Sequence, residues 1–237
     1  MIYTPRALEI FQKCPALLHL QGQPKPSVHT EYVKALRRTI FQMYSRLYES
    51  GKPIKHTTTK NLWDKNWWAL QSKKVTDQGK VFESASDGWI LLEKFWGEIY
   101  LKENDMPLGV NFEFTLDIEG LQYKIHEDLT LASKDGIITI MEFGKNKKEW
   151  DYYNSLGTKL EVCALGSLDI TPARKIYLDI TTKKKTFTTK TLNISPKYAE
   201  QCKNVITAVS KTIASGAVYT SPSKDCVTCP VKENCWV

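Results

Sequence analysis

Residues 110–143 read VNFEFTLDIEGLQYKIHEDLTLASKDGIITIMEF, and this stretch decides the fold. Apolar and polar side chains alternate through Val110–Ile118, which is the period of a strand with one buried face. Leu121–Leu131 and Ile137–Phe143 read as two further strands, and Lys134-Asp135-Gly136 between them favours a tight turn. The stretch therefore predicts three consecutive strands, the last two of them joined as a hairpin.

Apolar residues at helical spacing precede these strands. Thr4-Pro5 is a favourable helix start, because a capping residue is followed by proline at the first helical position. The patterns predict helices over Thr4–Leu20, over Thr30–Ser50, within the segment NLWDKNWWAL, and from Gly79 to about Ile99.

Helix and strand patterns alternate again after the three strands. We expect a helix over Lys147–Gly166, strands over Lys175–Thr181 and Thr186–Ile194, and a last helix over Pro196–Ala214. This order predicts one α/β domain over residues 1–237, with a mostly helical part (1–108), a sheet core with one helix (109–194), and a C-terminal helix with a cysteine-rich tail (195–237).

The composition favours an intracellular chain with anionic partners. The 33 Lys and Arg residues exceed the 26 Asp and Glu residues, which gives a net charge of +7 and favours partners such as nucleic acid. No apolar run reaches the length of roughly 20 residues that crosses a membrane, and charges interrupt the apolar residues near the N-terminus. We therefore expect neither a membrane association nor a secretion signal.

Four cysteines bracket the chain. Cys14 precedes a proline near the start, and Cys226, Cys229 and Cys235 form the pattern C-x2-C-P-x4-C near the end. Two cysteines separated by two residues can bind one metal centre, and a ligand from the other end would tie the termini together. Closing so long a loop costs roughly 5 kcal/mol of chain entropy, which metal–thiolate bonds can offset. The spacing suits either an iron–sulfur centre or zinc.

Two acidic residues lie in neighbouring predicted strands. Asp128 occurs in HEDLTL, and Glu142 ends IITIMEF. Together they could chelate a divalent metal, which would lower the pKa of a bound water and polarise a phosphodiester. The simpler alternative is that both are solvated carboxylates at strand ends.

The order of these features resembles the RecB-type branch of the PD-(D/E)XK nucleases. The resemblance is carried by Cys14-Pro15, the helical insert, Asp128, Glu142, the helix that follows and the cysteine tail, and it is closest to the iron–sulfur exonucleases of CRISPR adaptation and their phage relatives. It implies a restriction-endonuclease-like mixed sheet flanked by helices. It also implies a [4Fe–4S] cluster on the four cysteines, which join the termini, and Mg²⁺ or Mn²⁺ on Asp128 and Glu142, with His126 in the first acidic motif.

The sequence departs from that family at four positions, one of which is Cys163, where the family has a tyrosine. The family's lysine, two residues after the second acid, is replaced here by Gly144, so Lys145 could serve only through a bulge. In the helix that follows, Lys159 falls where the family has a glutamine and could act as a relocated lysine. Glu83 falls where the family has an upstream histidine.

Three functions stay open at this point. The first is a metal-dependent DNA exonuclease acting on single-stranded or free ends, with a possible protein partner in a recombination, replication or CRISPR-type assembly. The second is a catalytically inactive relative that binds DNA or serves as an assembly subunit, which Gly144 favours. The third is a four-cysteine zinc site on an unrelated fold.

Overall fold

The structure is a computed structural model that describes residues 2–14, 28–71, 78–101, 105–144, 153–181, 186–216 and 226. Its helices are α1 Pro5–Lys13, α2 Val28–Ser50, α3 His56–Gln71, α4 Gln78–Phe95, α5 Leu156–Gly166 and α6 Pro196–Ala214, and a π-helical turn, Trp96–Tyr100, follows α4. Its strands are β1 Ile2–Tyr3, β2 Met106–Ile118, β3 Leu121–Ala132, β4 Ile138–Gly144, β5 Arg174–Thr181 and β6 Thr186–Asn193. No helix in these ranges is long and apolar enough to cross a membrane.

The described strands form one mixed sheet. Strand β3 pairs antiparallel with β2 and with β4, and the short β1 pairs parallel with its first residues. Strand β5 lies parallel to β4 and antiparallel to β6. The parallel pair needs a crossover, and α5 lies in that connection. The expected α/β architecture, a central mixed sheet flanked by helices, is confirmed.

Most predicted elements are found with small shifts of their ends, but two predicted helices differ. Helix α1 ends at Lys13 instead of Leu20, because Cys14 has an extended backbone (φ −161°, ψ 111°). The other is interrupted at Ser155, although Tyr153 and Asn154 before it are helical. The sequence predicted a helix from Lys147 to Gly166. In the structure Ser155 has the extended backbone of a cap residue (φ −60°, ψ 127°), and its hydroxyl accepts a hydrogen bond from the Thr158 N–H. Helix α5 therefore begins at Leu156, because a capping serine starts a helix rather than continuing one. The sequence analysis also did not predict β1.

Helices cover both faces of the sheet, and each face has its own apolar core. Helices α2, α3 and α4 supply one core, with Leu36, Ile40, Trp63, Leu92 and Phe95 packed against Leu129, Leu131, Met141 and Leu178 of the sheet. Helices α1, α5 and α6 supply the other, with Leu8, Leu160, Ala164 and Ile206 packed against Tyr123 and Ile125.

The alternation of side chains along β3 breaks at Asp128. Ile125 and Leu129 are four residues apart and would share a face by strict alternation, yet they lie in different cores. Asn111 of β2 falls opposite Asp128 in the register, and its φ of 49° is in the left-handed region that non-glycine residues seldom adopt. At this place, which we call the seam, the apolar side chains of β3 switch from one face of the sheet to the other. Asp128 lies at the seam.

The contact between α1 and α5 depends on Gly157. A Cβ atom at this position would lie 3.0 Å from the Pro5 carbonyl oxygen and 3.3 Å from the Glu9 side chain. We expect Gly157→Ala to lower the free energy of unfolding by about 1–3 kcal/mol, as overpacking does in close-packed interiors. Urea denaturation of the variant and the wild type measures this.

Gly166→Ala is the matched control. Gly166 is in the same helix, and a Cβ atom there would meet nothing within 4 Å. Alanine should leave stability unchanged or raise it by up to about 1 kcal/mol, because it has the higher helix propensity. Equal losses from both substitutions would contradict the close approach of α1 to α5.

Candidate functional site

Asp128 is buried at the seam and held by two donors. Its side chain is 3% exposed. The Arg37 guanidinium, which reaches it from α2, donates to Oδ1, and the backbone N–H of Phe143 donates to Oδ2 at 2.9 Å. The Asp128 carboxylate therefore accepts a backbone N–H of β4 that a carbonyl of the neighbouring strand would otherwise accept. This hydrogen bond to the sheet fixes the orientation of the carboxylate.

Glu142 lies on the neighbouring strand and contacts a buried lysine. Its Oε2 atom is 2.8 Å from the Nζ atom of Lys175, and its side chain is 39% exposed. The Lys175 ammonium also donates to Oε2 of Glu161, an acid on α5. Lys175 is fully buried in β5, so its charge is balanced by these carboxylates rather than by water.

Glu127 is a third buried acid close to this group. It is 2% exposed, and its Oε1 atom has no hydrogen-bond partner among the residues that the structure describes. A buried carboxyl oxygen without a donor is costly, so such an atom calls for a specific explanation. Its electrostatic coupling to Glu161, Lys175 and Glu142 places it in the same cluster.

The acids outnumber the cations at this place. Among the described side chains, the cluster has four carboxyl groups and two cations, Arg37 and Lys175. Burial and the neighbouring Glu161 raise the pKa of Glu127 well above its ordinary value. Burial also raises the pKa of Asp128, although Arg37 opposes this. The acids are thus held in an environment that disfavours their charged forms.

Glu161 and Lys175 show the same competition between burial and charge. Burial raises the pKa of Glu161 to about 7, against the opposing effect of Lys175. For Lys175 burial disfavours the charged form, but Glu142 and Glu161 more than offset this and raise its pKa above the ordinary value. Lys175 therefore stays an ammonium ion at neutral pH.

A cavity of about 480 Å³ opens beside the cluster. Its lining includes His126, Glu142 and Glu161, together with Arg6 and Glu9 of α1. His126 points its Nδ1 atom to within 3.6 Å of Asp128 Oδ1, and its Nε2 atom is 3.0 Å from Asn111 Oδ1. The cavity gives a ligand of nucleotide size access from solvent to Glu142 and Glu161, the two acids of the cluster that line it.

The remaining predicted residues lie elsewhere or outside the described part of the chain. Lys159 is buried on α5, but its Nζ atom donates to the Tyr153 carbonyl at 2.9 Å and lies over the Tyr153 ring, next to Cys202 and not beside the acids. Lys145 and the side chain of Glu83 are outside the described residues. The cation beside Glu142 is Lys175, which the sequence analysis did not single out.

The structure describes two of the four cysteines of the pattern. Cys14 follows the last residue of α1 and is half-buried, with its N–H bonded to the Ile10 carbonyl at 2.9 Å. Cys226 is also half-buried, whereas Cys229 and Cys235 lie outside the described residues. Cys163 and Cys202 are on α5 and α6, as expected for cysteines in apolar helices.

The acids offer suitable oxygen donors for a divalent cation. Among the described residues, no three His, Cys, Asp or Glu side chains are grouped so that they could hold a metal ion as they stand. Arg37 and Lys175 occupy oxygens of Asp128 and Glu142 instead. The carboxyl oxygen donors, the excess of acidic groups over cations and the Glu127 Oε1 atom, which has no partner among the described residues, all fit a hard dication such as Mg²⁺ or Mn²⁺.

Signals for the missed residues were present in the sequence. Lys175 stands in the apolar strand RKIYLDI, and Glu161 stands in the apolar helix LGTKLEVCALG. Charged residues are seldom fully buried without a partner, so a charge inside each of two buried elements suggests that they meet. Arg37 gave no comparable signal, because α2 carries several basic residues.

Comparisons with known proteins support the fold. A crystal structure named "Putative exonuclease", from Eubacterium rectale, superposes with a TM-score of 0.55 and 11% sequence identity, over 100% of this chain and 89% of that chain. The structure of SSO0001 is matched with a TM-score of 0.37 and 13% identity, over 96% of this chain and 94% of that chain. No family model and no curated protein sequence matches the chain. At this identity the first likeness shows a shared fold.

Proposed function

We propose that this protein is a metal-dependent nuclease of the RecB type that degrades DNA from a free, single-stranded end. The observation that supports this most strongly is Glu142, which lines a solvent-accessible cavity and is coupled electrostatically to the buried acids Asp128 and Glu127. The shared fold with the Eubacterium rectale protein adds to it. Hydrolysis of a phosphodiester needs charge stabilisation, and a carboxylate-bound metal is a common source of it.

Asp128 and Glu142 would hold the metal, and Glu127 would contribute its unpartnered oxygen. The bound dication would polarise the phosphodiester and lower the pKa of a water molecule. The protein contributes orientation, because the Phe143 N–H holds Asp128 at the end of the β4 ladder. The net charge of +7 favours association of a polyanion with the protein.

Arg37 has two roles in this proposal. Its guanidinium neutralises Asp128 before metal binding, and it is 31% exposed, so it can turn towards a phosphate once the metal is bound. An arginine suits this exchange because its planar group bonds carboxylate and phosphate in the same manner.

The RecB-type proposal includes the cysteines. Cys14, Cys226, Cys229 and Cys235 would hold a [4Fe–4S] cluster, which fixes the termini to each other and supports the fold rather than the hydrolysis. Thiolates are the ligands for such a cluster, and the half-buried Cys14 and Cys226 are compatible with it. Zinc on the same four thiolates is the alternative.

The test is DNA degradation by protein purified without oxygen. We expect linear single-stranded DNA with an end label to be degraded with Mg²⁺ or Mn²⁺, and to be intact with EDTA. Covalently closed circular single-stranded DNA is the matched control, because it offers no end. Degradation of both substrates would support the nuclease activity and would show that the enzyme does not require a free DNA end.

A second function rests on Gly144, which leaves the strand without the family's lysine. In this reading the protein binds DNA, or another protein of a DNA-processing assembly, without cutting it. Tight binding of single-stranded DNA together with no degradation by either metal would select this function over the first.

A further inference from the structure

The proposed reaction needs a cation where negative charge develops, and position 144 supplies none. We propose that Lys175 of β5 is the catalytic lysine of this chain and that Glu161 of α5 positions it. This inference rests on the proposed nuclease function. It assigns the role of the lysine that is missing at position 144 of β4 to a residue of a different strand, β5.

The sheet register brings Lys175 to Glu142. Tyr177 lies directly opposite Glu142 in the parallel β4–β5 pair, and Lys175 is opposite Ile140. Since residues two apart share a face, Lys175 and Glu142 are diagonal neighbours on the same face of the sheet. Diagonal neighbours are within reach of a long side chain, and the separation of 2.8 Å between Nζ and Oε2 shows that the side chain spans it.

Glu161 fixes the position of the ammonium group. It approaches from α5 and accepts a hydrogen bond from the Nζ atom that also contacts Glu142. An ammonium group has three N–H donors, so these two acids leave one donor for a substrate oxygen. Glu142 and Glu161 both line the cavity, and the fully buried Lys175 contacts both of them, so this donor lies directly behind the wall of the space that a phosphate would enter.

Stability alone gives little reason to keep this arrangement. Replacing a buried ion pair by apolar residues of similar size is often neutral or stabilising. A fully buried lysine between two acids, in a strand whose neighbours Ile176 and Leu178 are apolar, is therefore better explained by a role in chemistry.

The step balances without a proton transfer to lysine. The water oxygen forms a bond to phosphorus, and its proton leaves to solvent. The bond between phosphorus and the leaving sugar oxygen breaks, its electron pair goes to that oxygen, and the oxygen takes a proton from solvent water. Lys175 stays an ammonium ion throughout and donates a hydrogen bond to a phosphate oxygen as its charge grows.

The experiment compares Lys175→Met with Glu161→Gln, the double variant Lys175→Met/Glu161→Gln, and Lys197→Met. Lys197 is exposed on α6 and serves as the control. We expect Lys175→Met to lower the rate of single-turnover DNA cleavage about 100–1,000-fold, as loss of one charge-stabilising donor does. Glu161→Gln keeps the lysine and should cost roughly 10-fold, and Lys197→Met should leave the rate unchanged.

The second readout is Mn²⁺ binding measured by titration calorimetry without DNA. Removing Lys175 frees an oxygen of Glu142, so Lys175→Met should bind Mn²⁺ at least several-fold more tightly than the wild type. The double variant removes both buried charges together, which keeps a folded protein available if Lys175→Met alone fails to fold.

The outcomes separate the two proposals. If the wild type cleaves DNA and the folded double variant cleaves equally well, the Lys175 inference is wrong and the nuclease stands. If the wild type neither binds Mn²⁺ nor cleaves DNA, the nuclease proposal fails, and the role of Lys175 fails with it.

Discussion

The substitution Asp128→Asn is expected to lower metal-dependent DNA cleavage at least about 1,000-fold without unfolding the protein. A metal ligand contributes several kcal/mol to the stabilisation of transition-state charge, and about 1.4 kcal/mol corresponds to a tenfold change in rate. Asparagine keeps a side-chain oxygen for the Phe143 N–H, which Asp128 accepts at 2.9 Å. The variant therefore separates the metal site from the fold.

Asp128→Ala should behave differently in stability. It removes the acceptor and leaves the Phe143 N–H buried without a partner, which costs about 1–3 kcal/mol. Asp117→Asn is the matched control for both variants, because Asp117 also accepts a backbone N–H, from Gly120 at 3.0 Å, but in the β2–β3 turn. Cleavage by Asp128→Asn at the wild-type rate would show that the catalytic site lies elsewhere.

The sheet could be predicted because its signals are local. Alternation along Val110–Ile118 and the Lys134-Asp135-Gly136 turn lie within short segments, and Gly136 has the positive φ of 76° that such a turn requires. The helix predicted over Lys147–Gly166 is interrupted at Ser155, because apolar periodicity continues past a cap and does not reveal where the chain changes direction. Ser155 was the available signal for that start.

The lysine of the cluster was missed because its position depends on a parallel crossover. Lys175 and Glu142 are far apart in the chain, and their contact exists only once β5 has been placed beside β4 in one register. Hydrophobic periodicity assigns strands but not the pairing of non-consecutive strands. Lys159, by contrast, was chosen from the helix alone, and burial turned its amine to the Tyr153 carbonyl.

The change of face at the seam could not be predicted from the alternation of apolar and polar residues either. Strict alternation keeps Ile125 and Leu129 on one face, but the left-handed backbone of Asn111 accompanies a change of face. Asn is among the residues that adopt this conformation most readily, so its place opposite Asp128 was a weak signal. The irregularity brings Asp128 to Arg37 of α2, while Glu127 lies near Glu161 of α5.

The second large effect concerns the cysteines, and Cys226→Ser is expected to remove the cluster and loosen both ends of the chain. Binding free energy at such a site is also folding free energy, so the loss should be several kcal/mol. Helix α1 should loosen without detaching, because it has independent anchors. Gln12 accepts the Leu156 N–H at 3.0 Å, and Glu9 accepts the Ser155 hydroxyl at 3.0 Å.

Hydrogen exchange and iron analysis on protein purified without oxygen measure this. The wild type should be brown, with broad absorption near ~400 nm, and Cys226→Ser should be colourless with faster exchange at Leu8 and Phe11 of α1. Cys163→Ser is the control, because Cys163 is a half-buried free thiol on α5, and it should retain iron. A colourless wild type with stoichiometric zinc would show that the four thiolates bind zinc and not an iron–sulfur cluster. Unchanged exchange in α1 would mean that Cys14 does not share a centre with Cys226.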